Sequence, residues 1–157
     1  MNNRVVITGM GIYSCIGTSL EEVKQSLFQG KSGIIFDEDR IHYGFQSALT
    51  GSVPKPDLKN LLNRRQRITI GEETEYAYLA TLEALKNANI SEDYFNDNEV
   101  GLLYGNDSVS KAIIDATDIV RDKKDTALIG SGAIFKSMNS TVTMNLSTIF
   151  NIRGINM

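Results

Sequence analysis

The chain has 157 residues, 41% hydrophobic and 22% charged, with a formal net charge of −3, one cysteine and one histidine. That length and balance suit one globular domain and give no reason to expect a nucleic-acid or membrane partner. A lone cysteine forms no internal disulfide, and this inventory assembles no metal site; with no secretion signal and no bilayer-length apolar run, a cytoplasmic protein is the default expectation.

The first predicted element is Arg4 to Thr8, β-branched and apolar on consecutive positions, which reads as a buried strand. Gly9 and Gly11 behind it read as turn formers. Ser19 then offers a hydroxyl cap, Glu21 and Glu22 fill a first helical turn, Val23, Leu27 and Phe28 share a face, and Gly30 supplies the stop. Ser32 to Pro56 lacks a helical period and reads as short strands and loops. Glu72 to Asn89 reads as a helix, with Tyr76, Leu79 and Ala80 in an apolar stripe and Glu83 and Lys86 on a solvated face. Val100 to Tyr104 reads as a second buried strand, followed by helices over Ser108 to Val120 and Ser140 to Phe150. Strands alternating with helices predict an α/β fold with a mixed, mainly parallel sheet and layered helices.

Gly9-Met10-Gly11 after a strand invites a dinucleotide reading, but Ser14 stands where the third glycine belongs and no acid is placed for a ribose. Cys15 has no cationic neighbour in sequence and reads as small-residue packing rather than as a nucleophile. His42 sits in a predicted loop, and nothing in the sequence joins it to Cys15. Lys59, Arg64, Arg65 and Arg67 fall between Asp57 and Glu72 with no acid among them, and Arg121, Lys123 and Lys124 form a second basic group. Such clusters are either ordinary solvated surface or a landing site for an acidic partner.

The stretch Arg4-Val5-Val6-Ile7-Thr8-Gly9-Met10-Gly11-Ile12-Tyr13-Ser14-Cys15-Ile16-Gly17 resembles the opening of the β-ketoacyl-acyl-carrier-protein synthases. Phe28-Gln29-Gly30-Lys31-Ser32-Gly33-Ile34 resembles the element that follows their first helix. Tyr43 to Ser47, Gly51-Ser52-Val53, Asn63-Arg64-Arg65, the Tyr76 to Ala88 helix and Val100 to Gly105 follow in the family's order. Phe150 to Asn156 resembles the last loop before the family's nucleophilic cysteine. The resemblance covers essentially the whole chain.

It implies the N-terminal half of a thiolase-like fold of the elongating type, one partial domain over residues 1–157 that stops shortly before the nucleophile. It also implies a decarboxylating Claisen condensation by the whole enzyme, in fatty-acid or polyketide synthesis, with no cofactor. None of the catalytic groups is expected within these residues, so the chain alone is expected to be inactive. By resemblance, Ser108, Ile134, Phe135 and Met138 fall at acyl-pocket positions, although Asn106-Asp107-Ser108 departs from the family's glycine-rich pattern. Arg64, Arg65, Arg67, Lys123 and Lys124 approximate the surface that meets acyl carrier protein. A homodimer, or the C-terminal half, is expected to cover apolar surface on the strands and on Val142, Leu146, Ile149 and Phe150. The alternatives are a non-catalytic partner of the chain-length-factor kind and a carrier-protein interaction module.

Overall fold

The computed structural model describes residues 4–91, 93–106 and 110–157. In chain order its elements are α1 (Leu20–Phe28), β1 (Ile34–Phe36), α2 (Glu38–His42), β2 (Leu49–Gly51), α3 (Arg64–Thr69), α4 (Glu72–Ala88), α5 (Tyr94–Asp97), α6 (Lys111–Lys123), α7 (Ala133–Ser137) and α8 (Thr141–Ile149). They gather into two compact units, Met1–Pro56 with Leu79–Asn89, and Asp57–Tyr78 with Ile90–Met157.

In the first unit, α1 starts as its sequence dictates. Ser19 is extended, its side chain accepts from the Glu22 N–H, and Glu21 and Glu22 occupy the first turn. Glu22 in turn accepts from the backbone and hydroxyl of Thr18, which hold its carboxyl below the usual carboxylate range. Val23 and Ser26 are buried, and the Ser26 hydroxyl donates to the Ile16 carbonyl at 2.6 Å. β1 and β2 pair antiparallel in the register Ile34↔Gly51, Ile35↔Thr50 and Phe36↔Leu49. Between them, the Arg40 guanidinium lies 4.3 Å over the Phe45 ring while its Nε donates to the Ser47 carbonyl at 3.0 Å.

Gly9 and Gly11 lie directly on the second half of α4. A Cβ at Gly9 would sit 2.7 Å from the Ala88 Cβ, and one at Gly11 would meet the Ala80 carbonyl and lie 2.7 Å from the Ala84 nitrogen. Neither has a positive φ, so close approach to the helix, rather than a turn, demands glycine here. Glu83 corrects a second expectation. It does not face solvent: its two carboxylate oxygens accept from the Ile12 N–H at 2.9 Å and the Leu20 N–H at 2.7 Å. The Arg4 to Thr8 strand is also not formed as expected. Val5 is 96% and Ile7 85% exposed, and among the described residues no backbone hydrogen bond joins this segment to a neighbour. A strand requires a paired edge, and these residues supply none.

In the second unit, α3 opens with a complete capping box, the Asn63 side chain accepting from Gln66 and the Gln66 side chain accepting from Asn63. Leu58, Leu62 and Ile70 around it are buried. α8 forms the deepest part, with Val142 0% and Leu146 1% exposed, so the apolar face expected to await a partner is covered by the chain itself. Phe150 stacks on Tyr78 at 5.6 Å and lies 5.9 Å from Phe95. The buried Asn145 amide accepts from the Thr69 hydroxyl at 2.8 Å and donates to the Thr141 carbonyl at 2.7 Å, which joins α3 to α8 without an orphaned polar atom on Asn145.

The expected mainly parallel sheet is present only as a fragment among the described residues, whose one two-stranded sheet is antiparallel. Among the described residues, parallel pairing is confined to 100–104 beside 154–157. Four backbone bonds build it: Gly154 to Val100 at 3.1 Å, Leu102 to Ile155 at 2.7 Å, Met157 to Leu102 at 3.0 Å and Tyr104 to Met157 at 2.9 Å. Leu103 is 70% exposed, so this predicted strand is paired on one edge and not buried.

Candidate functional site

The basic residues singled out by sequence take three different roles in the second unit. Arg64 and Arg65 are exposed on the first turn of α3, where no acid offsets the positive end of the helix dipole. Neither has an ion pair among the described residues, which leaves two cations held outward by a well-capped helix. Arg67 instead braces its own loop, its Nε donating to the Leu62 carbonyl at 3.1 Å. Lys123 pairs with Asp122 at 2.7 Å, and Arg121 lies 3.8 Å from Asp118. Lys124 closes α6 in the left-handed conformation at φ 55°, exposed and without an ion pair among the described residues. The end of α6 is therefore a surface of alternating sign.

Of the acyl-pocket positions, Ile134 and Phe135 lie on α7 and Met138 caps it, with exposures of 64%, 39% and 39%. Ser108 lies outside the described residues. The α7 helix begins at Gly132, whose absent side chain lets it rest on Ile68 of α3; a Cβ there would fall 2.6 Å from the Ile68 Cγ2. The structure thus brings the apolar α7 positions and the cationic α3 helix into one packed corner of the unit. An open groove of about 700 Å³ lies along α6, lined by Asp115, Asp118, Ile119, Asp122, Lys123 and Leu128. Each of its three carboxylates is within salt-bridge distance of a lysine or arginine, and none of Ile134, Phe135 and Met138 lines it.

Cys15 is half-buried against β1 and β2. Its Sγ would lie 2.7 Å from a Cβ at Gly33 and 3.4 Å from one at Gly51, a packing role, and among the described residues no hydrogen bond joins the thiol to another side chain. His42 sits on α2, its ring edge-on to Tyr43 at 5.7 Å, and no hydrogen bond joins it to Cys15. Among the described residues no cluster of three histidine, cysteine or acidic side chains is arranged to hold a metal. Tyr104, at the end of the parallel pairing, has its phenol pushed above the ordinary value by burial and then by the Glu73 carboxylate.

Sequence reasoning missed Glu83, Asn145 and Asn156 as organising residues. Only Glu83 left a trace: it continues the spacing of Tyr76, Leu79 and Ala80 along α4, a polar residue on a half-buried stripe.

The chain matches the family profile "Beta-ketoacyl synthase, N-terminal domain" over residues 2–157. It belongs to the β-ketoacyl synthase family and carries that domain. Two relatives are 3-oxoacyl-(acyl-carrier-protein) synthase 1 of Haemophilus influenzae, 36% identical over 155 residues, and of Buchnera aphidicola subsp. Baizongia pistaciae, 33% identical over 155. In each case the alignment takes in 98% of this chain and 38% of the relative, so the chain spans well under half of their length.

Solved structures share the fold. A β-ketoacyl synthase from Burkholderia phymatum superposes with a TM-score of 0.84 at 24% identity, covering 99% of this chain and 39% of that one. The ishigamide ketosynthase/chain length factor gives 0.78 at 22% identity, covering 99% and 39%. A type II polyketide ketosynthase solved with its acyl-carrier protein gives 0.71 at 20%, covering 96% and 40%. No helix among the described residues is long and apolar enough to cross a membrane.

Proposed function

We propose that this chain is the N-terminal part of a β-ketoacyl-acyl-carrier-protein synthase, an acyltransferase that condenses acyl and malonyl thioesters with loss of carbon dioxide. The observation that carries the reading is the family match across residues 2–157, joined by relatives named as 3-oxoacyl-acyl-carrier-protein synthases. Residues 1–157 then form one partial domain of a larger thiolase-like fold whose sheet is mainly parallel. The nucleophilic cysteine lies past Met157, and the enzyme works in the cytoplasm without a cofactor.

The remaining roles follow from the same reading. Ser108, Ile134, Phe135 and Met138 contribute to the acyl pocket. Arg64, Arg65 and Lys124 are the cations that greet an acidic carrier protein, with Arg67 and Lys123 as lesser contributors because each is already engaged. The exposed strands are covered by the C-terminal half and by a second copy.

Labelled acyl-carrier protein tests the chemistry. No thioester should form on residues 1–157, because acyl transfer needs an activated thiolate and the Cys15 Sγ packs against Gly33 and Gly51 with no hydrogen bond to a base among the described residues. The polypeptide read on through the gene past Met157 should take the label. Acylation at Cys15 would overturn the assignment. Docking is tested separately: carrier binding should weaken with salt, which screens exposed charges over about 10 Å at 0.1 M, and with the double reversal Arg65→Glu and Lys124→Glu. Unchanged affinity would return these residues to ordinary surface. The likeness to a ketosynthase/chain length factor keeps a second reading, a non-catalytic partner subunit, in view. The residue occupying the nucleophile position decides between the two.

A further inference from the structure

Asn156 belongs to two structures at once. Its backbone lies in the parallel pairing, opposite Leu102. Its side-chain amide donates to the Ser147 hydroxyl at 2.8 Å and to the Thr143 carbonyl at 3.3 Å, both on α8. The Ser147 hydroxyl is itself oriented, donating to the Met144 carbonyl at 3.0 Å and so offering Asn156 a lone pair. The same turn of α8 holds the intervening loop through the Ile152 N–H, which donates to the Ser147 carbonyl at 2.9 Å. Because Val142 and Leu146 seat α8 in the core, a bond to α8 ties the strand to the most deeply buried helix of the unit. The flanking Ile155 and Met157 are 64% and 67% exposed and do no such work.

We infer that Asn156 is a positioning residue, fixing the lateral place and heading of residues 154–157 and of whatever follows them. The inference rests on the proposed function, which places the nucleophile just beyond. Asn156 touches no reacting atom; it acts through the strand. A two-bond side-chain clamp suits that task, because a lone parallel pair leaves the strand free to twist about its long axis.

Amide hydrogen exchange on this chain decides it. Asn156→Leu keeps the side chain's bulk and removes the donor. It should speed exchange at the Met157 and Tyr104 amides by about tenfold or more, the factor that loss of a single well-made hydrogen bond produces, while Ile12 and Leu20 stay unchanged. Asn156→Gln, which retains the donor, should recover part of the protection. Ser147→Ala should add nothing to Asn156→Leu, since the Ser147 hydroxyl acts on the strand only through its bond to Asn156. If Asn156→Leu fails to fold, Ser147→Ala alone should give a smaller increase at the same two amides. Unchanged protection, or full additivity of the two substitutions, would overturn the inference. In the polypeptide that continues past Met157, Asn156→Leu should lower kcat at least tenfold with KM for acyl-carrier protein unchanged; a change in KM alone would count against positioning. Absence of acyl transfer in the unsubstituted polypeptide would sink the proposed function instead, and the exchange result would still decide the role of Asn156.

Discussion

Replacing Glu83 isolates how one α4 side chain organises the first unit. Its carboxylate takes two backbone N–H groups, Ile12 at 2.9 Å and Leu20 at 2.7 Å, from segments eight residues apart. Leu20 is the first residue of α1, so the charge also faces the positive end of that helix. Hydrogen bonds to a charged group contribute about 1.5–3 kcal/mol each, and the dipole term adds about 0.3–1. Water can reach these half-buried amides once the side chain is gone, which favours the low end of each range. Glu83→Ala should therefore cost about 3 kcal/mol, a fall in Tm of roughly 6–12 °C for a chain of this size. Glu83→Gln keeps one acceptor but turns an amide donor toward the other N–H, and should cost roughly half as much. Thermal unfolding followed by circular dichroism gives the size. Hydrogen exchange at the Ile12 and Leu20 amides shows whether the loss is local to this bracket. A Glu83→Gln protein within about 0.5 kcal/mol of the parent, with both amides still protected, would refute the reasoning.

Three further outcomes are expected. Gly11→Ala forces a Cβ into the backbone of α4 at Ala80 and Ala84, and should cost about 3 kcal/mol or prevent folding, whereas Gly105→Ala, with nothing within 4 Å of the new atom, should be nearly neutral in urea titration. Lys124→Gly relieves a left-handed backbone at φ 55°, and should raise stability by about 0.5–1 kcal/mol in the same assay. For Tyr104, burial and Glu73 raise the folded phenol above the unfolded value near 10, so the unfolded chain gives up its proton first. Its contribution is therefore intact below pH 10 and lost as pH rises through the folded value; Tyr104→Phe should flatten the drop in urea midpoint between pH 9 and 11, and an unchanged drop would discount the shift.

The helices were legible where local chemistry alone decides them. The Ser19 cap and its acidic first turn place α1 at Leu20–Phe28, and the pattern from Glu72 gives α4 to within a residue. The predicted Ser140 to Phe150 helix is α8, Thr141–Ile149, and the one predicted from Ser108 is α6, Lys111–Lys123. The short helices α2, α3, α5 and α7 were not foreseen, because four to six residues carry too little periodicity to register. The strands divided: β1 and β2 lie within the Ser32 to Pro56 stretch read as short strands and loops, whereas Arg4 to Thr8 is unpaired and Val100 to Tyr104 is paired on one edge without being buried. Composition at Arg4 to Thr8 and Val100 to Tyr104 reports a liking for extended backbone, but a ladder depends on a partner that the tertiary fold supplies from a distant part of the chain. Glycine told a similar story: Gly9 and Gly11 were visible, yet that they face α4 rather than turn the chain depends on a contact some seventy residues away in sequence. Of the site, the basic run between Asp57 and Glu72 could be read directly, whereas its place on the first turn of α3 and the pairing of Lys123 with Asp122 show only in three dimensions.

The parallel pairing also sets a schedule for biosynthesis. Val100 to Tyr104 leaves the ribosome well before Gly154 to Met157, the residues that complete its hydrogen bonds. At a synthesis rate of roughly 5–20 residues per second, about fifty intervening residues leave that apolar segment without its mate for about 3–10 s. That wait is far longer than the microseconds in which a hairpin such as β1–β2 closes. During that interval the backbone groups of Val100 to Tyr104 that this pairing engages are without the strand that satisfies them in the finished fold.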